Sequence, residues 1–589
     1  LADGCNRIVL SHPRIGHDRN LVRFQTRISL SAGTPVGGYC VAPLSWEGEL
    51  VLWQQPQVDT DWQLRFTPAD SMLLDLEGQP APLAGWVWDL VKTHVHSYLG
   101  GIRINLAPPV KELKAFLLPL FDAGHQNEAR LFLESMRPDA VKIDNRALKV
   151  DILTQTPDPP ASDPTPPDQS PSADVAPPSP DDLARVMVLW ETWDAVLVHM
   201  VMALFGEPLT LDDQQILLDT LLAARYEFSD RLAAKTLTTQ FVRSQFIQAW
   251  QQINPVFRRH LGDDPAKSVL GYLAFFTAAD ALAALDQVGP NLGIEISRDG
   301  FLRLARLISD QPLTQLENPG TLNPRLREIL GLGPPVEAPP EEAEPRPATP
   351  PPVEAGQPQS RRQPLKRDYY WALWKVGGRA WAAEGSAANA NVRSLHPWTA
   401  EKGAGETFVK RVVQVLERAA RQNGQKKNFP RNRRKWFEAM VLATAWQESC
   451  FRQFQVQQGK IVYLLSYNNT SVGLMQINER VWSGIYDRHK LRWDIHYNAA
   501  AGSEILALYL QRYILKQDAG ALGTSKKAQR HLAGWLYALY NGGPRQLKRY
   551  PQRRAAGELY QSDQLLLDKY DQVIGQRRWI SQVDCLPPG

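Results

Sequence analysis

Three short segments hold residue types that can do acid–base chemistry on a polar substrate. They are Trp446-Gln-Glu-Ser-Cys-Phe451, Ser471-Val-Gly-Leu-Met-Gln-Ile-Asn478 and Ala538-Leu-Tyr-Asn-Gly-Gly-Pro544. Glu448 ends an apolar helical stripe of Phe437, Met440, Ala443 and Ala445. A carboxyl placed there loses water and its pKa rises, as a general acid near neutral pH requires. Arg452 would oppose this if the helix ran on, so the helix is expected to stop or Arg452 to point outward. Gly473 lets backbone approach a ligand closely, and the amides of Gln476 and Asn478 suit sugar hydroxyls and acetamido groups. Asn541-Gly-Gly-Pro reads as a helix-ending turn that leaves Tyr540 at a cleft edge. Each segment alone has a plainer reading: a surface glutamate, core packing, a turn. Cys450 could be a nucleophile beside Glu448, but no histidine in the three segments would activate it.

In this order, the three segments resemble the soluble-type lytic transglycosylases, the goose-lysozyme-like enzymes of glycoside hydrolase family 23. Asp494, Asn498, Gly502, Ile505, Leu506 and Tyr509-Leu510 fit that family's intervening helix. The resemblance covers about residues 435–550. It implies a mostly α, lysozyme-like domain with a small hairpin. It implies Glu448 as the single acid/base with Ser449 beside it, and Gly473, Leu474, Met475, Gln476 and Asn478 in a substrate groove. Tyr540 and Asn541 would stand at the active-site edge. The family often holds the sugar's acetamido group with a serine before Gly-Leu-Met; Ser466 is the first choice here and Ser471 its rival. One departure is the longer stretch between Glu448 and Gly473, which reads as an inserted hairpin turning at Gly459-Lys460.

From Ser449 to Asn478 there is no Asp or Glu; Glu479 comes next. Most glycosidases use two carboxylates. One suffices if the substrate supplies its own nucleophile. The resemblance implies the rest: cleavage of peptidoglycan glycan strands at the MurNAc–GlcNAc bond with 1,6-anhydro ends, without a cofactor. A hydrolytic muramidase and a non-catalytic wall-binding scaffold are the alternatives.

The elements that must carry this chemistry lie in a chain of 589 residues, 43% hydrophobic and 22% charged. That length and composition suit several globular domains and exclude collagen-like, coiled-coil and wholly disordered chains. Ten prolines in 156–181 and eleven in 334–365 mark two extended linkers. Residues 1–155 read as a mixed α/β (α+β) domain, with strands in Leu21–Ser31, Glu49–Gln54 and Trp62–Thr67, helices near Trp86–Tyr98 and Val110–Met136, and a hairpin over Val141–Thr154. Trp46, Trp53, Trp62, Trp86 and Trp88 could make a sugar platform, but core packing is the reading adopted. Residues 182–333 read as all helix, in Leu183–Phe205, Asp212–Phe228, Lys235–Leu261 and Pro265–Leu285, with a helix start at Thr210-Leu-Asp-Asp213. No chemistry is evident there, and packing or docking to a cell-envelope protein complex through residues 1–333 is the expected role. The catalytic domain is 366–589.

The net charge of +4 hides an asymmetry: residues 361–589 carry 37 Lys+Arg against 17 Asp+Glu. An anionic partner is implied for this part. Peptidoglycan, anionic lipid and nucleic acid all qualify by charge; no nucleic-acid module is evident. The cluster Lys426, Lys427, Arg431, Arg433, Arg434 and Lys435 could face wall polymer or simply solvent. The four cysteines, Cys5, Cys40, Cys450 and Cys585, lie in no CxxC or His-rich cluster, so no metal site is expected. Falling in two regions, they are expected to pair as Cys5–Cys40 and Cys450–Cys585 in an oxidising compartment, with four free thiols as the alternative. No apolar run is long enough to span a membrane. A start at Leu1 is read as the trace of a cleaved export signal, to the periplasm or cell envelope, and Cys5 is a poor match to a lipid-anchor site.

Overall fold

A computed structural model of the chain describes residues 7–36, 39–80, 95, 97–118, 126–144, 147–155, 180–260, 301–302, 321–338, 395–400, 405–457, 460–517, 525–575 and 578–586. The protein is multidomain, with a sheet-rich N-terminal part and a helical C-terminal part. It divides into two compact units, Leu1–Asp168 with Ser268–Gly300 and Gln169–Lys267 with Phe301–Gly589. The span Pro265–Leu285, Cys5 with the side chain of Cys40, Trp86, Trp88 and most of both proline-rich linkers lie outside the described residues.

The first unit is built on an antiparallel meander: β1 (Arg7–Asp18), β2 (Leu21–Val36), β3 (Tyr39–Val58), β4 (Gln63–Leu74) and β5 (Arg103–Asn105), in that spatial order. Period-two alternation puts Ile28 and Leu30 of β2, Leu50 and Leu52 of β3 and Leu73 of β4 on one face, where they form a core with Ile8 and Val95. Trp46 packs against this core. The sequence reading passes over β1 because it is an edge strand, exposed along most of its length. It carries Pro13 in a bulge between Ser11 and Arg14, where a missing N–H costs least. Two helices follow, α1 (Ala107–Leu117) and α2 (Gln126–Glu134), then the hairpin of β6 (Arg137–Asp144) and β7 (Ala147–Leu153), with Asp144 opposite Ala147.

The second unit holds α3 (Pro180–Met202), α4 (Leu211–Ala234), α5 (Thr239–His260), α6 (Pro324–Ile329), α7 (Gly405–Lys426) and α8 (Arg431–Ser449). Two small antiparallel pairs follow, β8 (Phe454–Gln457) with β9 (Lys460–Tyr463) and β10 (Ser471–Val472) with β11 (Ile477–Asn478). The helices α9 (Arg488–Trp493), α10 (Ile495–Tyr509), α11 (Lys526–Gly542), α12 (Gln546–Ala556) and α13 (Gln561–Gly575) complete it. Thr210 caps α4 through a reciprocal capping box with Asp213. The β8–β9 hairpin pairs Gln457 with Lys460, so Lys460 opens β9 instead of forming the turn.

Although α3 to α6 and the catalytic region read as separate modules in the sequence, their described residues belong to one compact unit. Buried arginines join them. Arg225 of α4 pairs with Asp194 of α3 at 2.6 Å and donates to the carbonyls of Val481 (3.2 Å) and Ser483 (2.8 Å). Arg327 of α6 pairs with Glu504 of α10 at 3.0 Å and donates to Ile485 O at 3.3 Å. Asn323 N–H takes Gly484 O at 2.8 Å. The turn after β11 thus has four carbonyls satisfied from the preceding helices.

Candidate active site

Glu448 occupies the last turn of α8. The helix forms because Phe437, Met440, Ala443 and Ala445 all lie in the core. It stops because Cys450 and Phe451 turn left-handed, at φ 53° and 62°. Cys450 is bonded to Cys585, with 5.9 Å between their Cα atoms. Trp579, near that tail cysteine, stacks on Trp446 with centroids 5.6 Å apart. Beyond the stop Arg452 folds back, its Nε donating to Ser449 O at 3.1 Å.

The Glu448 side chain keeps some surface open to a cleft, but its Oε1 is sealed from solvent and has no hydrogen-bond partner among the described residues. Burial pushes its pKa from 4.5 to about 7; a hydrogen bond from Tyr537 and the charge of Lys569 pull weakly the other way. Lys569 is held in place by donating to Gln447 Oε1.

The turn from Val472 to Gln476 is tied to the end of α8 through Ser449 and is fixed by buried amides. Gly473 has φ +74°, and a Cβ there would stand 2.4 Å from Asn498 Nδ2 and 2.5 Å from Gln453 Oε1. Only glycine admits both. Gln453 accepts Leu474 N–H at 2.7 Å and donates to Leu491 O at 3.0 Å. Asn498 accepts Met475 N–H at 2.8 Å and donates to Val472 O at 3.1 Å. Ser449 Oγ donates to Leu474 O, and Tyr540 OH to Met475 O, both at 2.6 Å.

A cleft of about 680 Å³ opens in front of this turn. Of the expected site residues, Glu448, Ser466, Gln476, Asn478, Tyr540 and Asn541 line it, as does Ser471. Gln476 Nε2 is spent on Gly473 O (2.8 Å) and Asn478 Oδ1 on two backbone N–H groups, so Gln476 Oε1 and Asn478 Nδ2 are left for the cleft. Ser449, Gly473, Leu474 and Met475 do not line it. Leu474 and Met475 are fully buried and Ser449 nearly so, its hydroxyl bonded within the protein. These residues position the groove instead of touching its contents. The Ser466 hydroxyl ties its own turn, donating to Asn468 Oδ1 (2.7 Å) and accepting from Thr470 and Ser471 N–H. Among the described residues the Ser471 hydroxyl makes no such bond, and it lines the same cleft.

Sequence reasoning missed one wall of the cleft. Tyr226, Ser229 and Asp230 of α4 line it. Tyr226 OH donates to Tyr540 O at 3.2 Å and its ring fills the space beside Gly543, where a Cβ would come within 2.4 Å. No local signal marks α4, an ordinary amphipathic helix more than two hundred positions upstream of Glu448. Tyr537 was findable: three residues before Tyr540 on one helix, it must share that face. Exposed Tyr467 and Tyr560 also line the cleft. The basic cluster 426–435 does not, and Lys427 is held below its usual pKa by burial. Glu479, the next acid after the groove, is bound on both oxygens by Arg492 at 2.6 Å and lies outside the cleft.

Compared with protein-family models, with curated proteins and with solved structures, the chain matches none. Among the described residues no helix is long and apolar enough to cross a membrane. The most apolar stretch, in α3, buries Asp194 against Arg225.

Proposed function

We propose that the second unit is a lysozyme-like peptidoglycan lytic transglycosylase of the periplasm or cell envelope, with Glu448 as its single acid/base. The observation that carries this reading is the Glu448 carboxyl, sealed on one side, with a pKa of about 7, in a cleft that Ser471, Gln476, Asn478 and Asn541 also line. Glu448 protonates the glycosidic oxygen as it leaves C1 of MurNAc. The 2-acetamido oxygen assists by bonding to C1, as the resemblance implies. Glu448, now ionised, removes the proton of the MurNAc 6-hydroxyl. That oxygen displaces the acetamido oxygen at C1 and closes the 1,6-anhydro ring, with no water consumed and Glu448 restored. Positioned proton transfer contributes about 10²–10⁴-fold. Gln476 Oε1, Asn478 Nδ2 and Ser471 hold the sugar's polar groups, and Tyr467 offers it an aromatic face.

One observation favours hydrolysis as a second reading: Asp230 lies in the same cleft. An inverting hydrolase sets its carboxyls about 6.5–9.5 Å apart, where each would raise the other's pKa. Burial raises the pKa of Asp230 against the opposing charge of Arg549, and burial raises that of Glu448; in a hydrolytic route Asp230 would be the base that activates water. Mass spectrometry of digested sacculi separates the two, since anhydro-muropeptides mark transglycosylation and reducing ends mark hydrolysis. Glu448→Gln is expected to abolish product release while the fold persists; activity retained in that variant refutes the assignment.

A further inference from the structure

We propose that Asp230 and Arg549 form a subsite in the cleft for the peptide stems carried by the glycan, Asp230 taking an amine and Arg549 a carboxylate. The inference rests on the cleft's being a peptidoglycan site. The two residues come from different elements, α4 and α12, and both line the cleft with exposed side chains. The facing sides of these helices carry two pairs of opposite charges at helical spacing. Glu227 and Asp230 lie three apart on α4, and Arg545, the residue that precedes α12, lies four before Arg549 of that helix.

The first pair is closed: Arg545 donates to Glu227, which also accepts from Gln245 and Arg231. The second is open. Asp230 and Arg549 make no ion pair or side-chain hydrogen bond among the described residues, yet the charge of Arg549 is felt at Asp230. The closed pair ties α4 to the start of α12 about one turn away, and both members of the open pair line the cleft. A gap bounded by a carboxylate and a guanidinium fits a ligand bearing both an ammonium and a carboxylate, through charge-assisted hydrogen bonds on each. The glycan's hydroxyls and acetamides need neither charge and already meet Gln476, Asn478 and Ser471. Peptide stems supply both charges.

The test uses the full-length chain on three substrates: intact sacculi, glycan stripped of peptides by an amidase, and sacculi whose free amines have been acetylated. The wild type should cut intact sacculi with a kcat/KM about tenfold above that for stripped glycan, as one or two charge-assisted bonds imply. Asp230→Asn and Arg549→Gln should each remove most of that preference, through KM, and leave stripped glycan unaffected. Acetylated sacculi should be cut by wild type no better than by Asp230→Asn. Equal wild-type rates on intact and stripped substrates overturn the proposal. So does a loss of kcat on stripped glycan in Asp230→Asn, which would place Asp230 in the chemistry. If the wild type cuts nothing, the cleavage reading itself has failed. Retention on sacculi then decides the subsite: weaker retention of both variants supports it, and undiminished retention overturns it.

Discussion

Burial lifts the Glu448 carboxyl from 4.5 to about 7, so the acid form is populated at neutrality and is lost as pH rises through about 7. Cleavage should decline on the alkaline side of that value. Tyr537 donates a hydrogen bond that favours the ionised carboxyl, and Tyr537 itself stays protonated because burial raises its pKa well above 10. Tyr537→Phe should therefore move the alkaline limb of the pH–rate profile upward, by on the order of one unit; a limb that stays or moves down would refute the contact. Stability follows the same linkage. The folded pKa exceeds the unfolded one, so the fold binds the proton more tightly, and that contribution is complete below 4.5 and lost as pH rises through about 7. Glu448→Gln never ionises. It should melt at or above wild type at pH 8, by up to about 3 kcal/mol, and lose that advantage at pH 4.

At the scale of elements, the cleft has a local part and a distant part, and only the first was legible. Glu448, the glycine at Gly473 and the Tyr540-Asn541 helix end could be read because each role is written in a few adjacent residues: an apolar stripe ending in an acid, a backbone that must be left-handed, a helix-stopping pair. The family resemblance placed Ser466, Leu474 and Met475 in the groove. It could not see that a hydroxyl was spent on its own turn or that two side chains faced backward, because orientation is settled by Gln453, Asn498 and Gly502 packing behind. The contribution of α4 was illegible, since its residues 225–227 reach partners at 481–483, 540 and 545 and nothing in their own periodicity says so. That joint is testable. Arg225→Met strands Asp194 and frees the carbonyls of Val481 and Ser483, and breaking such a buried pair from one side costs about 3–5 kcal/mol. Adding Asp194→Leu removes the stranded charge, so the double variant should be more stable than Arg225→Met alone. A double variant that melts lower than the single would show that the pair is not what joins α3 to α4.

At the scale of the whole molecule, composition separated the ends of the chain but not its bodies. The proline-rich stretches suggested three modules. The meander of the first unit was partly visible in the alternation of β2 to β4, whereas the grouping of α3 to α6 with the C-terminal helices depends on buried charges far apart in sequence. Arg327, fully buried, meets Glu504 of α10, while Tyr486 OH donates to the same carboxylate at 2.7 Å. Cys450–Cys585 closes the C-terminal region over a separation of 135 residues. Helices joined by such pairs cannot open singly without exposing an unpaired charge. The second unit should therefore unfold as one cooperative body, with amides of α4 and of α10 exchanging through the same global opening. Hydrogen exchange read by mass spectrometry on peptides 217–230 and 497–509 checks this. Matching opening free energies, lowered together by Arg225→Met, are expected because one buried network spans both helices. If α4 opened at a much smaller free energy than α10, it would be a detachable module, and the wall it gives the cleft would be present only part of the time.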